Sequence, residues 1–288
     1  MSDIAHFTSA VGVLAVAAVL SGCGADTGSP SHSAAPHTVT AEPASESARA
    51  TGPAPAPGAS GTEDAAAEAP AAPLSGLTIA VDPGHNGGNG ANPGTIGQSV
   101  PDGRGGTKDC NTVGTESADG YPEHRFAWET AEALEDALTD AGADVVLSRT
   151  DDDGVGPCVD ERGTFADDAD ALVSLHANGT EDDSASGFHV IAAPAGGRAD
   201  DGVADSSEVL GTALASELEE AGLSRNPAYD ELVVRDDLAT LNNAAVPAVM
   251  LEAGEMRNAG DARMLESDEG QQRISRSIVD ALTVALVD

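Results

Sequence analysis

Leu77-Thr-Ile-Ala-Val-Asp-Pro-Gly-His85 is the stretch whose reading decides the fold. Its apolar run has the length of a short buried strand, and Pro83-Gly84 closes it with turn-forming residues. His85 therefore stands where a strand hands over to a loop. Two further runs share this design. Ala171-Leu-Val-Ser-Leu-His176-Ala-Asn-Gly ends in a second histidine, and Val246-Pro-Ala-Val-Met-Leu-Glu252-Ala-Gly ends in a carboxylate. Side chains at such edges are held by a rigid element yet face loops that a ligand can reach. Two imidazoles and a carboxylate at three strand ends point to a zinc hydrolase site.

The segments between these runs complete the pattern. From Glu123, apolar or small residues at Ala127, Thr130, Ala131, Leu134, Leu138 and Ala141 form a helical stripe, stopped by Gly142. Pro122 suits the start of that helix. Residues 143–149 and 187–192 read as strands. A helix over 207–221 carries Leu210, Leu214 and Leu218 on one face, and a closing helix over 270–287 buries Ile274, Ile278, Ala281 and Ala285. Strands alternating with helices predict an α/β fold, a three-layer sandwich with a mostly parallel central sheet flanked by helices. Ligands of such sheets bind beyond the strands' carboxyl ends, where His85, His176 and Glu252 would lie. Glu123 falls in a first helical turn, where an acid also answers the helix dipole, so the helix alone leaves its role open.

Composition divides the chain into three. Residues 1–23 read as an export signal: an apolar core from Thr8 ends at Leu20-Ser-Gly-Cys23, too short for a comfortable membrane span. Leu20-Ser-Gly-Cys23 resembles the lipobox of bacterial lipoproteins, which implies lipidation of Cys23, although no Lys or Arg precedes the apolar core. Residues 24–73 are Ala, Pro, Ser, Gly, Thr and acids, too poor in large apolar groups to offset ordering entropy, and read as a disordered linker. Residues 74–288 have the length of one α/β domain. An exported protein meets an oxidising compartment, so Cys110 and Cys158 are expected to form a disulfide. Asp and Glu number 49 against 13 Lys and Arg, a formal charge of −36, which argues against nucleic acid or an anionic membrane surface as partner.

Zinc takes imidazole and carboxylate ligands and keeps one position open for water in catalytic sites. His85 and His176 with either Glu123 or Glu252 would complete three ligands, and the remaining carboxylate would handle protons. Spacing does not assign the two roles. Val-Asp-Pro-Gly-His85-Asn-Gly-Gly, Pro-Glu123-His, Val-Ser-Leu-His176-Ala-Asn and Pro-Ala-Val-Met-Leu-Glu252-Ala-Gly, in this order, closely resemble the zinc-dependent N-acetylmuramoyl-L-alanine amidases of the type-3 family. The resemblance spans 77–287. It implies one zinc on His85, Glu123 and His176, with Glu252 as the catalytic carboxylate. It also implies hydrolysis of the amide joining N-acetylmuramic acid to L-alanine, with peptidoglycan or muropeptides as the partner. The segments around Cys110 and Cys158 resemble the actinobacterial branch, whose members carry this disulfide.

The family usually places a large apolar residue where Glu255 stands here. Glu255 is read as an exposed acid, and failing that as a substitute proton shuttle. His189 is read as a strand-face residue and His124 as a neighbour of the site. Asn178 and Arg235 are candidate substrate contacts, against loop hydrogen bonding and a surface charge as their alternatives. A zinc carboxypeptidase would need the same ligands plus a carboxylate-binding arginine, for which Arg104, Arg149 and Arg235 are available. A lipid-anchored wall-binding protein with an inactive site would have no need of all four of His85, Glu123, His176 and Glu252. The expected setting is the cell envelope, on the outer face of the cytoplasmic membrane or secreted, with the protein acting as a monomer.

Overall fold

The structure, a computed structural model, describes residues 72–287. Cys23, the leader and the linker up to residue 71 lie outside the described residues. The strands are β1 (Thr78–Pro83), β2 (Ser99–Pro101), β3 (Thr107–Asp109), β4 (Asp144–Leu147), β5 (Ala171–Asn178), β6 (His189–Ala192), β7 (Val233–Val234) and β8 (Ala248–Glu255). The α-helices are α1 (Pro93–Ile96), α2 (Glu123–Asp140), α3 (Glu161–Thr164), α4 (Asp201–Glu220), α5 (Ala239–Asn242), α6 (Ala259–Leu265) and α7 (Asp268–Leu286).

Six strands form one sheet in the order β4-β1-β5-β8-β6-β7. Neighbours run parallel except β6 and β8, which are antiparallel. Side chains alternate between the two faces, and the faces differ. Ile79, Val81, Val173, Leu175, Val249 and Leu251 share one core with the three long helices, α2 and α4 packing on the sheet and α7 packing on both of them. Ala80, Leu172 and Met250 project the other way, onto a thin layer that includes Leu241 of α5 and Ala166 just after α3. The fold is therefore an α/β three-layer sandwich with a mostly parallel sheet, thick on one side and thin on the other. Asp82, His176 and Glu252 fall on the thin side by the same alternation, and a cleft opens there.

Two boundaries depart from the periodicity. Helix α4 begins at Asp201 rather than near 207, because the Asp200 carboxylate accepts from Val203 N at 3.0 Å and caps it. Strand β8 does not stop at Glu252 but continues to Glu255, pairing with β5 across a register shift after His176. Helix α6, opened by the Asn258 side chain accepting from Gly260 N and Asp261 N, has too few apolar positions for a periodic signal.

Candidate active site

His85 follows β1 with φ 56°, the left-handed region that a non-glycine residue adopts at a cost. The conformation is anchored on both sides of the ring. The His85 carbonyl accepts from Arg162 Nη2 at 2.7 Å, and its Nδ1 lies 3.1 Å from the Thr112 carbonyl. With Nδ1 donating to that carbonyl, Nε2 is the nitrogen turned to Glu123: it carries a proton when it pairs with that carboxylate and would present its lone pair to a metal. Gly84 makes room for the neighbouring ring: a Cβ there would come within 2.3 Å of the His176 imidazole.

Glu123 is the first residue of α2, and its side chain turns into the cleft. Its Oε1 lies 3.0 Å from His85 Nε2 and 2.9 Å from His176 Nδ1, while Oε2 accepts from Thr115 N at 2.9 Å. Burial opposes this anion, but the two imidazoles beside it hold the carboxyl well below the usual range. One ligand atom from each of His85, Glu123 and His176 falls within 4.8 Å of the others. Two imidazoles and one carboxylate at that spacing suit a zinc ion. Glu252 sits in register with His176 across β5 and β8, so both project from one face side by side. The residue borders the cleft, yet its Oε2 is buried and without a hydrogen-bond partner among the described residues. Burial, and then the charges of Glu123 and Glu255, push the Glu252 carboxyl well above the ordinary value against the pull of Arg235.

Beneath the site lies an ion pair that pattern reading missed. Asp82 is fully buried on β1, and its Oδ1 accepts from Arg162 Nη1 at 2.6 Å and from Ser148 Oγ at 2.5 Å. Its Oδ2 accepts from Ser174 Oγ at 2.7 Å. Arg162 also donates to the carbonyls of Pro83, His85 and Pro157 and to Asn86 Oδ1. All three of its nitrogens are thus engaged by the protein. The one signal in the chain was an aspartate inside an apolar run, which says that a partner exists but not which. The structure joins Cys110 to Cys158, separated by 48 positions, and this ties the segment after β3, which carries Thr112, to the loop before Arg162. Closing a loop of that size contributes about 4 kcal/mol in the chain-entropy account.

Other candidates fall differently. Glu255 is not exposed; it is fully buried, accepting from Asn178 Nδ2 at 2.8 Å, Asn226 Nδ2 at 2.9 Å and Thr180 N at 3.2 Å. The surrounding amides, rather than solvent, accommodate its charge. Asn178 borders the cleft, but its amide nitrogen is committed to Glu255 and the Tyr229 hydroxyl. Arg235 is half-exposed and forked onto Asp237 at 2.5 and 2.6 Å. His189 lies opposite Glu252 on β6, buried and stacked 3.8 Å from the Tyr229 ring. Burial, and then Arg235, hold His189 down to about 4, so it is neutral beside Glu252. His124 pairs with Asp152 at 2.7 Å. Arg104 and Arg149 donate inward, the first to Asn242 and the carbonyls of Pro194 and Ala195, the second to Asp152 and four carbonyls. Neither is free to bind a substrate carboxylate.

A family model described as N-acetylmuramoyl-L-alanine amidase matches residues 79–284, and the chain belongs to that family. N-acetylmuramoyl-L-alanine amidase Rv3717 of Mycobacterium tuberculosis is 41% identical over 218 residues, covering 74% of this chain and 88% of its own length. The crystal structure of the amidase Ami1 from Mycobacterium smegmatis superposes with a TM-score of 0.67 at 37% identity, covering 73% of this chain and 96% of that one. The apo form of Ami1 from Mycobacterium abscessus gives a TM-score of 0.68 at 37% identity, covering 74% of this chain and all of that one.

Proposed function

We propose that the chain is a zinc-dependent peptidoglycan hydrolase that cleaves the amide between N-acetylmuramic acid and the L-alanine of the stem peptide. Carrying this reading is the convergence of His85, Glu123 and His176 within 4.8 Å, with Glu252 in register beside them, in a chain of the amidase family. Bound by the three ligands, zinc would supply a Lewis acid and a lowered pKa for water. His85 is oriented by its Nδ1 contact with the Thr112 carbonyl, outside the ligand set. Glu252 takes a proton from the attacking water and returns it to the departing alanine amine. Its position beside the ligand set, with Oε2 unpartnered among the described residues, is what suits it to both transfers. The cleft, about 810 Å³ in volume, is large enough for a muropeptide rather than a single residue.

The protein is further proposed to act outside the cytoplasm, held to the membrane by lipid on Cys23, from the Leu20-Ser-Gly-Cys23 motif and the linker that follows. Among the described residues, no helix is long and apolar enough to cross a membrane.

Mass spectrometry of muropeptides after digestion by the zinc-loaded protein tests the activity. Peptides with a free L-alanine amine are expected; release of C-terminal amino acids would move the protein to a carboxypeptidase. Glu252→Gln should keep zinc and lose at least about a hundredfold in turnover. Loss of zinc from Glu252→Gln and its retention by Glu123→Gln would exchange the two roles.

A further inference from the structure

Lys108 is the only lysine in the 288 residues, and it borders the cleft that holds His85, Glu123, His176 and Glu252. In a chain of formal charge −36, a lone ammonium at that position is an unusual placement. It is also an unpaired one. Among the described residues no carboxylate comes within ion-pairing distance of Lys108. Its charge reaches Asp102 and Asp237, and both of these acids have other partners. Asp102 is occupied by the turn's own amides, accepting from Arg104 N at 2.8 Å and Gly106 N at 2.9 Å. Asp237 is occupied by the fork of Arg235.

The backbone under Lys108 is fixed. Strands β2 and β3 form a hairpin in which Lys108 pairs with Val100. At the turn, Arg104 donates to Asn242 Oδ1 and to the carbonyls of Pro194 and Ala195, and Asn242 Nδ2 returns a bond to the Asp102 carbonyl at 3.0 Å. At the exit of β3 the Cys110–Cys158 bond and the Cys110 N to Gln98 O bond hold the other end. A flexible side chain on a clamped hairpin can sweep the cleft without moving its base. The other cation bordering the cleft, Arg162, spends its donors inward on Asp82, Asn86 and three carbonyls. Apart from the ligand set, the remaining ionisable groups bordering the cleft are the acids Asp109 and Glu252. Away from the metal-ligand set, Lys108 is the one cationic side chain bordering the cleft, among the described residues, whose donors are not already taken by the protein, and so the one placed to attract an anionic group on a peptide.

We propose that Lys108 binds a free carboxylate on the peptide side of the substrate, so that the enzyme selects stem peptides carrying an unamidated acidic residue. This rests on the amidase reading and names the chemistry of the peptide it takes. Two synthetic muramoyl-L-alanyl peptides, identical except that the acidic residue after alanine is free in one and amidated in the other, provide the test. The holoenzyme should show a kcat/KM for the acid higher by on the order of threefold to tenfold, carried mainly by KM and shrinking with added salt. The ratio should survive in Lys108→Arg, fall to near one in Lys108→Met and invert in Lys108→Glu. A wild-type ratio retained by Lys108→Met overturns the proposal, as does a holoenzyme that does not prefer the acid. Cleavage of neither peptide by the wild type would instead reject the amidase reading. In that case the affinities of zinc-loaded Glu252→Gln, with and without Lys108→Met, for the two peptides still decide on Lys108, and equal affinities overturn its role.

Discussion

Replacing Arg162 by methionine should damage the protein and its site together. The side chain is buried and ties Asp82, His85 and Asn86 to one guanidinium, with the Asp82 contact at 2.6 Å. Removing one partner of a buried pair leaves an uncompensated charge and costs about 3–5 kcal/mol. For a domain of this size that is a fall in Tm of roughly 10 °C, from a total stability of about 5–15 kcal/mol. Burial opposes the Asp82 anion, but Arg162, with Ser148, His176 and Ser174, holds its carboxyl below the ordinary range. A depressed carboxyl contributes stability above its unfolded pKa, and that contribution is lost as pH falls through the folded value. The gap between wild type and Arg162→Met is therefore widest near neutral pH and narrows in acid, as Asp82 in the variant takes up a proton. Urea unfolding of the zinc-free proteins across pH measures it. Asp82→Asn combined with Arg162→Met should lose less than the sum of the single changes by at least about 1 kcal/mol. Strict additivity, or an Arg162→Met variant within about 1 kcal/mol of wild type at pH 7, would refute the buried-pair reasoning. Zinc affinity should fall as well, because the left-handed backbone at His85 loses the donor to its carbonyl.

Gly84→Ala places a methyl 2.3–2.7 Å from three atoms of the His176 ring, so the ring must shift; a displacement near 1 Å should cost on the order of a hundredfold in activity, with circular dichroism unchanged. His189 should titrate near pH 4 by NMR, because burial and Arg235 keep it neutral. The unfolded chain then binds the extra proton between about pH 4 and 6.5, so this residue lowers stability as pH falls through that window, and His189→Phe should flatten the slope there. Reducing the Cys110–Cys158 bond should destabilise the domain by up to about 4 kcal/mol and loosen zinc, since Thr112 lies two residues from Cys110; urea midpoints with and without reductant, read against zinc content, check both.

Some of the site was legible without coordinates, because its determinants are local. An apolar run of strand length followed by Pro-Gly or Ala-Asn places His85 just past β1 and His176 two residues before the end of β5. The stripe from Ala127 to Leu138 defines α2 and puts Glu123 in its first turn for the same reason. Family resemblance, rather than spacing, separated Glu123 from Glu252. What remained hidden depends on contacts between residues far apart in sequence. Glu255 looked like a surface acid because its neighbours Asn178, Thr180 and Asn226 come from other segments. Arg162 looked like one charge among many until folding carried it 80 positions back to Asp82. Whether an arginine is free or spent, and whether a lysine faces solvent or a cleft, follows from packing. Periodicity reports which face of an element is buried, and only the tertiary structure decides what that face meets.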